Sequence, residues 1–234
     1  MAADGNTIRF VLARPAVAGN IGAVARAIKT MGHSELWLVA PQVPFPHRDA
    51  AVRAVEAIDV LNNAKVVDTL QEALRDCQLT VGISARQRQA DWPLYSPPEL
   101  AQVVADITGT VALVFGTESS GLSNEELYQC RAQSVIASNP KCPSLNLSHA
   151  VQIYAWQLAQ QVRSPSGGRT DRPSQQQMDH LQQQINRLIQ QLDFAPASPD
   201  DPRLAAILNR ADLKRADWSL LEGVIQRALD RLPE

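Results

Sequence analysis

Short apolar runs alternate with helix-patterned segments over the first 163 residues. The runs Ile8–Leu12, Leu36–Val39, Lys65–Val67, Leu79–Ile83, Val111–Phe115 and Ser134–Ala137 are rich in β-branched residues and mostly continuous in hydrophobicity. That is the pattern of strands covered on both faces. The helix signals between them are local. Behind Asn20, placed as an N-cap, Ile21, Val24, Ala25 and Ile28 form a stripe at 3.6-residue spacing, and Gly32 offers the stop. Thr69 with Glu72 and Ser123 with Glu126 have capping-box spacing, and Ser96, Pro97 and Glu99 combine N-cap, first-turn proline and acid. Leu147 to Val162 predicts a long closing helix. Strands alternating with helices predict an α/β fold: a mostly parallel sheet with helices on both faces.

The pattern then changes. Ser164 to Pro173 is a polar Gly/Pro/Ser-rich linker. Beyond it, Met178, Leu181, Ile185, Leu188 and Leu192 recur at steps of three and four, so the Gln-rich stretch predicts an amphipathic helix. Leu204–Ala211 and Trp218–Leu232 predict two more, the last with Ser219 and Glu222 at capping-box spacing. The organisation expected is a main α/β domain over residues 1–163, a linker over 164–173 and a small helical domain over 174–234.

Composition narrows this little. With 45% hydrophobic and 20% charged residues in 234, wholesale disorder is excluded, and 5% aromatics leave a core of Ala, Val, Leu and Ile. The net charge of −2 gives no bulk attraction for nucleic acid, so such a partner requires a local basic patch. Cys77, Cys130 and Cys142 are odd in number and widely spaced, against a disulfide framework or a Cys-rich zinc site. His33, His47, His149 and His180 form no ligand pattern, so no metal is expected. Met1–Thr7 lacks the layout of a secretory leader, and Val111–Phe115 is far short of a membrane span. A soluble cytoplasmic protein is expected.

Ligands of open parallel sheets bind beyond the carboxyl ends of strands. After the first strand, Gly19 and Gly22 are separated by two residues, which is not GxGxxG, so neither NAD nor FAD is expected. Gly22 permits close approach of a partner's backbone and Arg26 projects one turn on; an exposed Arg in a surface ion pair is the equal alternative. After the fifth strand comes Gly116-Thr-Glu-Ser-Ser-Gly121, and after the sixth Asn139-Pro-Lys-Cys-Pro-Ser-Leu-Asn146. Each alone reads as a βα turn.

Together, Gly19-Asn-Ile-Gly-Ala-Val-Ala-Arg26, Leu113-Val-Phe-Gly-Thr-Glu-Ser-Ser-Gly-Leu122 and Pro143-Ser-Leu-Asn-Leu147 resemble, in order, the three signature motifs of the SPOUT methyltransferases. Ala25–Gly32, Ser84–Arg86 and Asn124–Leu127 strengthen the likeness, which is greatest to the bacterial TrmJ/LasT-like group. The resemblance implies a deep trefoil knot, a homodimer and an S-adenosylmethionine-dependent transfer of methyl to RNA ribose 2′-hydroxyls. The expected substrate is tRNA, at a cytidine or uridine at nucleotide 32 of the anticodon loop. It assigns donor binding to Ile83, Ser84, Ala85, Gly116, Ile136, Pro143, Ser144, Leu145 and Asn146. Arg26 is the key catalytic residue, with Ser144 orienting the hydroxyl and Asn20 bracing the loop. The role of Glu118 stays open between structure and dimer contact. The sequence departs from the group at Thr117, where Arg is usual, and at Arg14-Pro15-Ala16, where Thr-Ser-His is usual.

Contacts to RNA are expected from Arg14, Arg86 and Arg88 and from a small basic patch of Arg210, Lys214 and Arg215, with Trp92 either stacking on a base or tucked inside. Two other readings stay alive: the same chemistry on ribosomal or another RNA, and a non-catalytic RNA-binding paralogue.

Overall fold

The structure, a computed structural model, describes residues 6–85, 92–161, 171–192 and 202–232. Its centre is a seven-stranded sheet: β1 (Thr7–Ala13), β2 (Glu35–Val39), β3 (Lys65–Val67), β4 (Cys77–Ser84), β5 (Leu94–Tyr95), β6 (Thr110–Phe115) and β7 (Ala132–Val135), in the order β3-β2-β1-β6-β4-β7-β5. Every pairing is parallel. Its helices are α1 (Ala18–Thr30), α2 (Arg48–Ala54), α3 (Ile58–Asn62), α4 (Leu70–Leu74), α5 (Pro97–Ala105), α6 (Asn124–Tyr128) and α7 (Leu147–Gln161).

Side-chain alternation divides the core. Phe10 and Leu12 of β1 and Leu113 and Phe115 of β6 join the larger cluster under α1, α2, α5 and α7. Val11, Ala13, Ala112 and Val114 face the other way, toward α4 and α6. Strands flanked on both sides in this way are apolar at most positions, the buried polar exceptions here being Arg9 of β1, Thr80 of β4 and Gln133 and Ser134 of β7.

Five elements differ from the sequence expectation, one being the short edge strand β5, which had no sequence assignment. The strand expected over Ser134–Ala137 runs instead over Ala132–Val135, where its pairing with β4 ends at Ser84 and Val135, so Ile136 and Ala137 already belong to a loop. Helices α2 and α3 had no sequence assignment, although Ala50, Ala54, Ala57, Val60 and Leu61 are buried at helical spacing. The cap of α1 is Val17, not Asn20, which stands within the first turn. Gly22 does serve close approach, to a backbone of its own chain: a Cβ there would lie 2.0 Å from the Ala50 carbonyl oxygen of α2.

The tail forms α8 (Gln175–Gln191), α9 (Pro202–Arg210) and α10 (Arg215–Leu229). Met178, Leu181, Leu208 and Trp218 make its small core. Because α10 begins at Arg215, Ser219 lies inside the helix and does not cap it. The tail is docked on the sheet domain. Arg131 donates from Nε to the Gln175 amide oxygen (3.1 Å), from Nη1 to the Gln78 carbonyl (2.8 Å) and from Nη2 to the Ser174 carbonyl (3.0 Å). The Asn209 amide donates to the Cys130 carbonyl at 3.3 Å. Ala206 of α9 packs on the core face that α4 and α6 cover only thinly.

Candidate cofactor and substrate site

A cavity of about 320 Å³ opens where β4, β6 and β7 end. Ile83, Ser84 and Ala85 supply one wall, Phe115 and the loop Gly116–Gly121 a second, and Ile136 with Pro143, Ser144 and Leu145 a third. Eight of the nine residues expected to hold the donor are thus brought together; Asn146 is not in the lining. The loop 116–121 closes on itself: Thr117 N–H donates to the Gly121 carbonyl (3.2 Å), and Gly121 N–H to that of Thr117 (2.9 Å). Gly121 has φ +69°, and Gly116 leaves no room for a Cβ against the Gly121–Leu122 peptide. Both glycines are therefore required by backbone geometry. Among the described residues, Glu118 is the only ionisable side chain lining the cavity.

Glu118 also joins the three motif loops. Its carboxylate accepts from Ala16 N–H (3.1 Å), Val17 N–H (3.3 Å) and the Asn20 side-chain amide (3.0 Å). An acid at the start of α1, which has no side-chain cap of its own, satisfies free amides and suits the helix dipole. Asn20 in turn accepts from the Asn146 amide at 3.3 Å, and Asn146 accepts from Ser148 N–H at 2.9 Å as α7 begins. The sequence showed half of this role, a lone acid in the loop Gly116–Gly121; the other half was hidden because Asn20 reads as the cap of α1.

Arg26 lies elsewhere. It is exposed on α1 and borders a separate depression with Ala23, Thr30 and Arg53, facing Ser148, His149 and Gln152 around the start of α7. Ser144, by contrast, stands exposed at the cavity wall.

The RNA contacts expected from sequence are redistributed. Arg14, held at φ +52°, makes a two-pronged pair with Glu126, Nε to Oε1 and Nη2 to Oε2, both 2.8 Å. Its fork is engaged within its own chain. Trp92 is 4% exposed and meets Tyr128 edge-on at 5.7 Å, so it is tucked in the core and offers no stacking face. Arg215 donates to Asp171 at 2.8 Å, while Lys214 is exposed at the start of α10. Arg86 and Arg88 lie outside the described residues.

The Arg14–Glu126 pair carries a pH dependence. Burial alone would push the Glu126 carboxyl up; the hydrogen bonds from Arg14 and from Ser123 N–H outweigh it and hold the group below the ordinary glutamate range. A depressed folded-state value contributes stability above the unfolded pKa and loses it as pH falls through the folded one. Glu126→Gln is therefore expected to lower stability by about 1–2 kcal/mol at pH 7, a deficit that shrinks below about pH 4. Urea midpoints at the two pH values check this; an equal deficit at both would exclude the charge as its source.

Burial pushes the Cys77 thiol up to about 12 and raises that of Cys130, which leaves neither as a nucleophile at neutral pH. Among the described residues no group of three His, Cys, Asp or Glu is placed to hold a metal ion, and no helix is long and apolar enough to cross a membrane.

A fully parallel sheet with its cavity beyond the strand ends, built from three converging loops, defines an α/β ligand-binding domain. The chain belongs to the SpoU rRNA Methylase family, whose profile matches residues 7–156. It is 38% identical over 239 residues to the tRNA (cytidine/uridine/adenosine-2′-O-)-methyltransferase TrmJ of Pseudomonas aeruginosa, covering 93% of this chain and 92% of that one. It is 44% identical to the tRNA (cytidine/uridine-2′-O-)-methyltransferase TrmJ of Klebsiella pneumoniae, over 93% and 94% of the two chains. Among solved structures, TrmJ from Z. mobilis superposes with a TM-score of 0.84 at 27% identity, over 96% of this chain and all (100%) of that one.

Proposed function

We propose that this protein is an S-adenosylmethionine-dependent tRNA ribose 2′-O-methyltransferase, acting as a homodimer on a cytidine or uridine at nucleotide 32 of the anticodon loop. The observation that carries the reading is the cavity at the exits of β4, β6 and β7, lined by the residues that the motifs single out. The relatives named as tRNA 2′-O-methyltransferases match along 93% of the chain, so the likeness includes the tail as well as the sheet domain.

The residues fit the donor. Ile83, Ile136 and Leu145 offer apolar walls to a purine, and the loop Gly116–Gly121 presents backbone groups where a Cβ would intrude. Glu118 sets a single negative charge at the edge of a cavity otherwise free of ionisable side chains among the described residues, which suits a cationic ligand. When bound, S-adenosylmethionine supplies a methyl group already activated on a sulfonium. The protein must then place the ribose oxygen in line and help its proton leave. Ser144, at the cavity wall, orients the hydroxyl. Arg26 of the partner subunit clamps the neighbouring phosphate and the developing alkoxide; a guanidinium does not deprotonate, so a phosphate oxygen or water takes the proton. Asn20, Asn146 and Glu118 hold the three loops in register. Nicotinamide and flavin cofactors have no part in this reading, and the enzyme works in the cytoplasm beside its tRNA.

The test is transfer of labelled methyl to RNA from cells lacking the protein, mapped by mass spectrometry. A 2′-O-methyl at nucleotide 32 of tRNA is expected. Methylation elsewhere in tRNA overturns the position, labelling of ribosomal RNA alone overturns the substrate, and donor binding without transfer to any RNA leaves a non-catalytic RNA binder.

A further inference from the structure

The depression beside Arg26, of about 520 Å³, carries positive charge that its own chain leaves unanswered. Its ionisable lining is Arg26 of α1, Arg53 of α2 and His149 of α7, and among the described residues no carboxylate borders it. The cavity that holds Glu118 has the opposite character. Elsewhere the chain neutralises arginines with its own acids: Arg9 pairs with Asp76, Arg14 with Glu126, Arg172 with Asp212 and Arg215 with Asp171. The acids near Arg53 in sequence do not answer it. Asp49 lies 3.9 Å from His47, Asp59 lies 2.7 Å from Lys29, and Glu56 forms no ion pair with Arg53. Neither Arg26 nor Arg53 has an ion-pair or side-chain hydrogen-bond partner among the described residues.

The two arginines are held in one frame. Ala23, Arg26 and Thr30 recur at steps of three and four and share one face of α1. Gly19 extends that face by one turn, and a Cβ added there would lie 3.6 Å from the Arg53 Cγ, so the stem of Arg53 passes over it. Helix α2 is fixed on α1, because Gly22 admits the Ala50 carbonyl where a Cβ would leave only 2.0 Å. Arg53 therefore goes wherever Arg26 goes. Two permanent cations in a depression without an acid focus a field that attracts an anion from outside. Guanidinium forks suit the oxygens of a phosphodiester. At a net charge of −2, a local field of this kind is what an RNA partner requires.

We propose that Arg53 is a second phosphate-binding residue of the methyl transfer, holding the RNA backbone beside the nucleotide that Arg26 serves. The inference rests on the function proposed above. The two arginines divide the work. Arg26 meets charge that develops during the reaction, and so acts on turnover. Arg53 holds a phosphate that is charged before and during the reaction alike, and so acts on binding. The motifs single out Arg26 and pass over Arg53, which stands on a helix the sequence did not announce.

The experiment uses the full chain, with Arg53→Gln and Arg53→Lys beside the wild type. Methyl transfer is followed against tRNA concentration, and tRNA binding is measured over a series of salt concentrations. For Arg53→Gln a KM for tRNA raised about 5–10-fold is expected, with kcat within about 2-fold of the wild type and a salt slope shallower by about one. Donor affinity stays unchanged, since Arg53 is outside the cavity of Gly116 and Ser144. Arg53→Lys restores the salt slope, because a point charge still neutralises a phosphate. A wild-type KM and salt slope in Arg53→Gln, or a raised KM with an unchanged slope, overturns the proposal. So does an Arg53→Gln protein that sediments as a smaller species than the wild type, which makes Arg53 a contact between subunits. The proposed function is read separately. A wild type that binds tRNA with an Arg53-dependent salt slope but transfers no methyl overturns that function and leaves the phosphate contact standing. A wild type that methylates tRNA with a slope indifferent to Arg53 overturns this inference alone.

Discussion

Arg26→Ala is expected to lower methyl transfer about 10²–10³-fold and to leave donor affinity unchanged, as removal of one preorganised charge at a developing anion does. The separation of effects follows from where the residue stands. Arg26 borders the depression between α1 and α7, not the cavity lined by Gly116, Ile136 and Ser144, so no donor contact is lost with it. Arg26→Lys rescues poorly, since a point charge does not replace the two-pronged fork. The family resemblance is the reason for placing it in the site of a second subunit. That placement is tested by mixing. Arg26→Ala and Ser144→Ala chains are each expected to be inactive alone, yet a mixed dimer carries one site with both lesions and one with none, and so regains about half of wild-type turnover. Single-turnover transfer to bulk tRNA, with calorimetric donor titration beside it, reads both effects. Near-normal transfer by the Ala variant removes Arg26 from the mechanism, and no recovery on mixing removes the shared site.

What was legible in the sequence was what local chemistry dictates. The capping pairs at Ser96–Glu99 and Ser123–Glu126 form as their spacing requires, and the Gln-rich stretch folds as a helix capped by Ser174. The apolar runs became strands because a doubly covered sheet leaves them few polar positions, Arg9 and Thr80 among the exceptions. The lining of the cavity followed from motif likeness, since loops at strand exits are placed by the sheet. What escaped was set by partners distant in sequence. Arg14 and Glu126 are 112 positions apart, and nothing near Arg14 announces that its fork is taken. Asn20 has the chemistry of a cap, but Glu118, 98 positions on, supplies the acceptor and shifts the helix start to Val17. Trp92 depends on Tyr128 across the sheet edge. Helix α2 was missed although alanines mark its buried face, because alanine is a weak sign of burial; the small side chains there serve close contact with Gly22.

Gly116→Ala is expected to abolish donor binding, by more than about 100-fold, and to cost about 2–4 kcal/mol of stability. A Cβ at this position would lie 2.0 Å from the Gly121 carbonyl carbon, 2.1 Å from the Leu122 nitrogen and 2.3 Å from the Gly121 oxygen. All three are backbone atoms, so no side chain can swing aside to make room. Relief requires moving the return arm of the loop, and that arm is held by the reciprocal Thr117–Gly121 hydrogen bonds. Breaking them opens the wall that carries Glu118, and with Glu118 go the acceptors for Ala16, Val17 and Asn20 at the start of α1. One added methyl thus damages the cavity and the junction of the three loops together. Gly223→Ala supplies the contrast: it sits in α10 with nothing within 4 Å of the added carbon. Helix propensity there predicts a gain of about 0.5–1 kcal/mol and no change in donor affinity. Urea melts and donor calorimetry on both variants decide the matter. A Gly116→Ala protein that binds the donor as the wild type does would show that the loop Gly116–Gly121 is not the wall on which the donor rests.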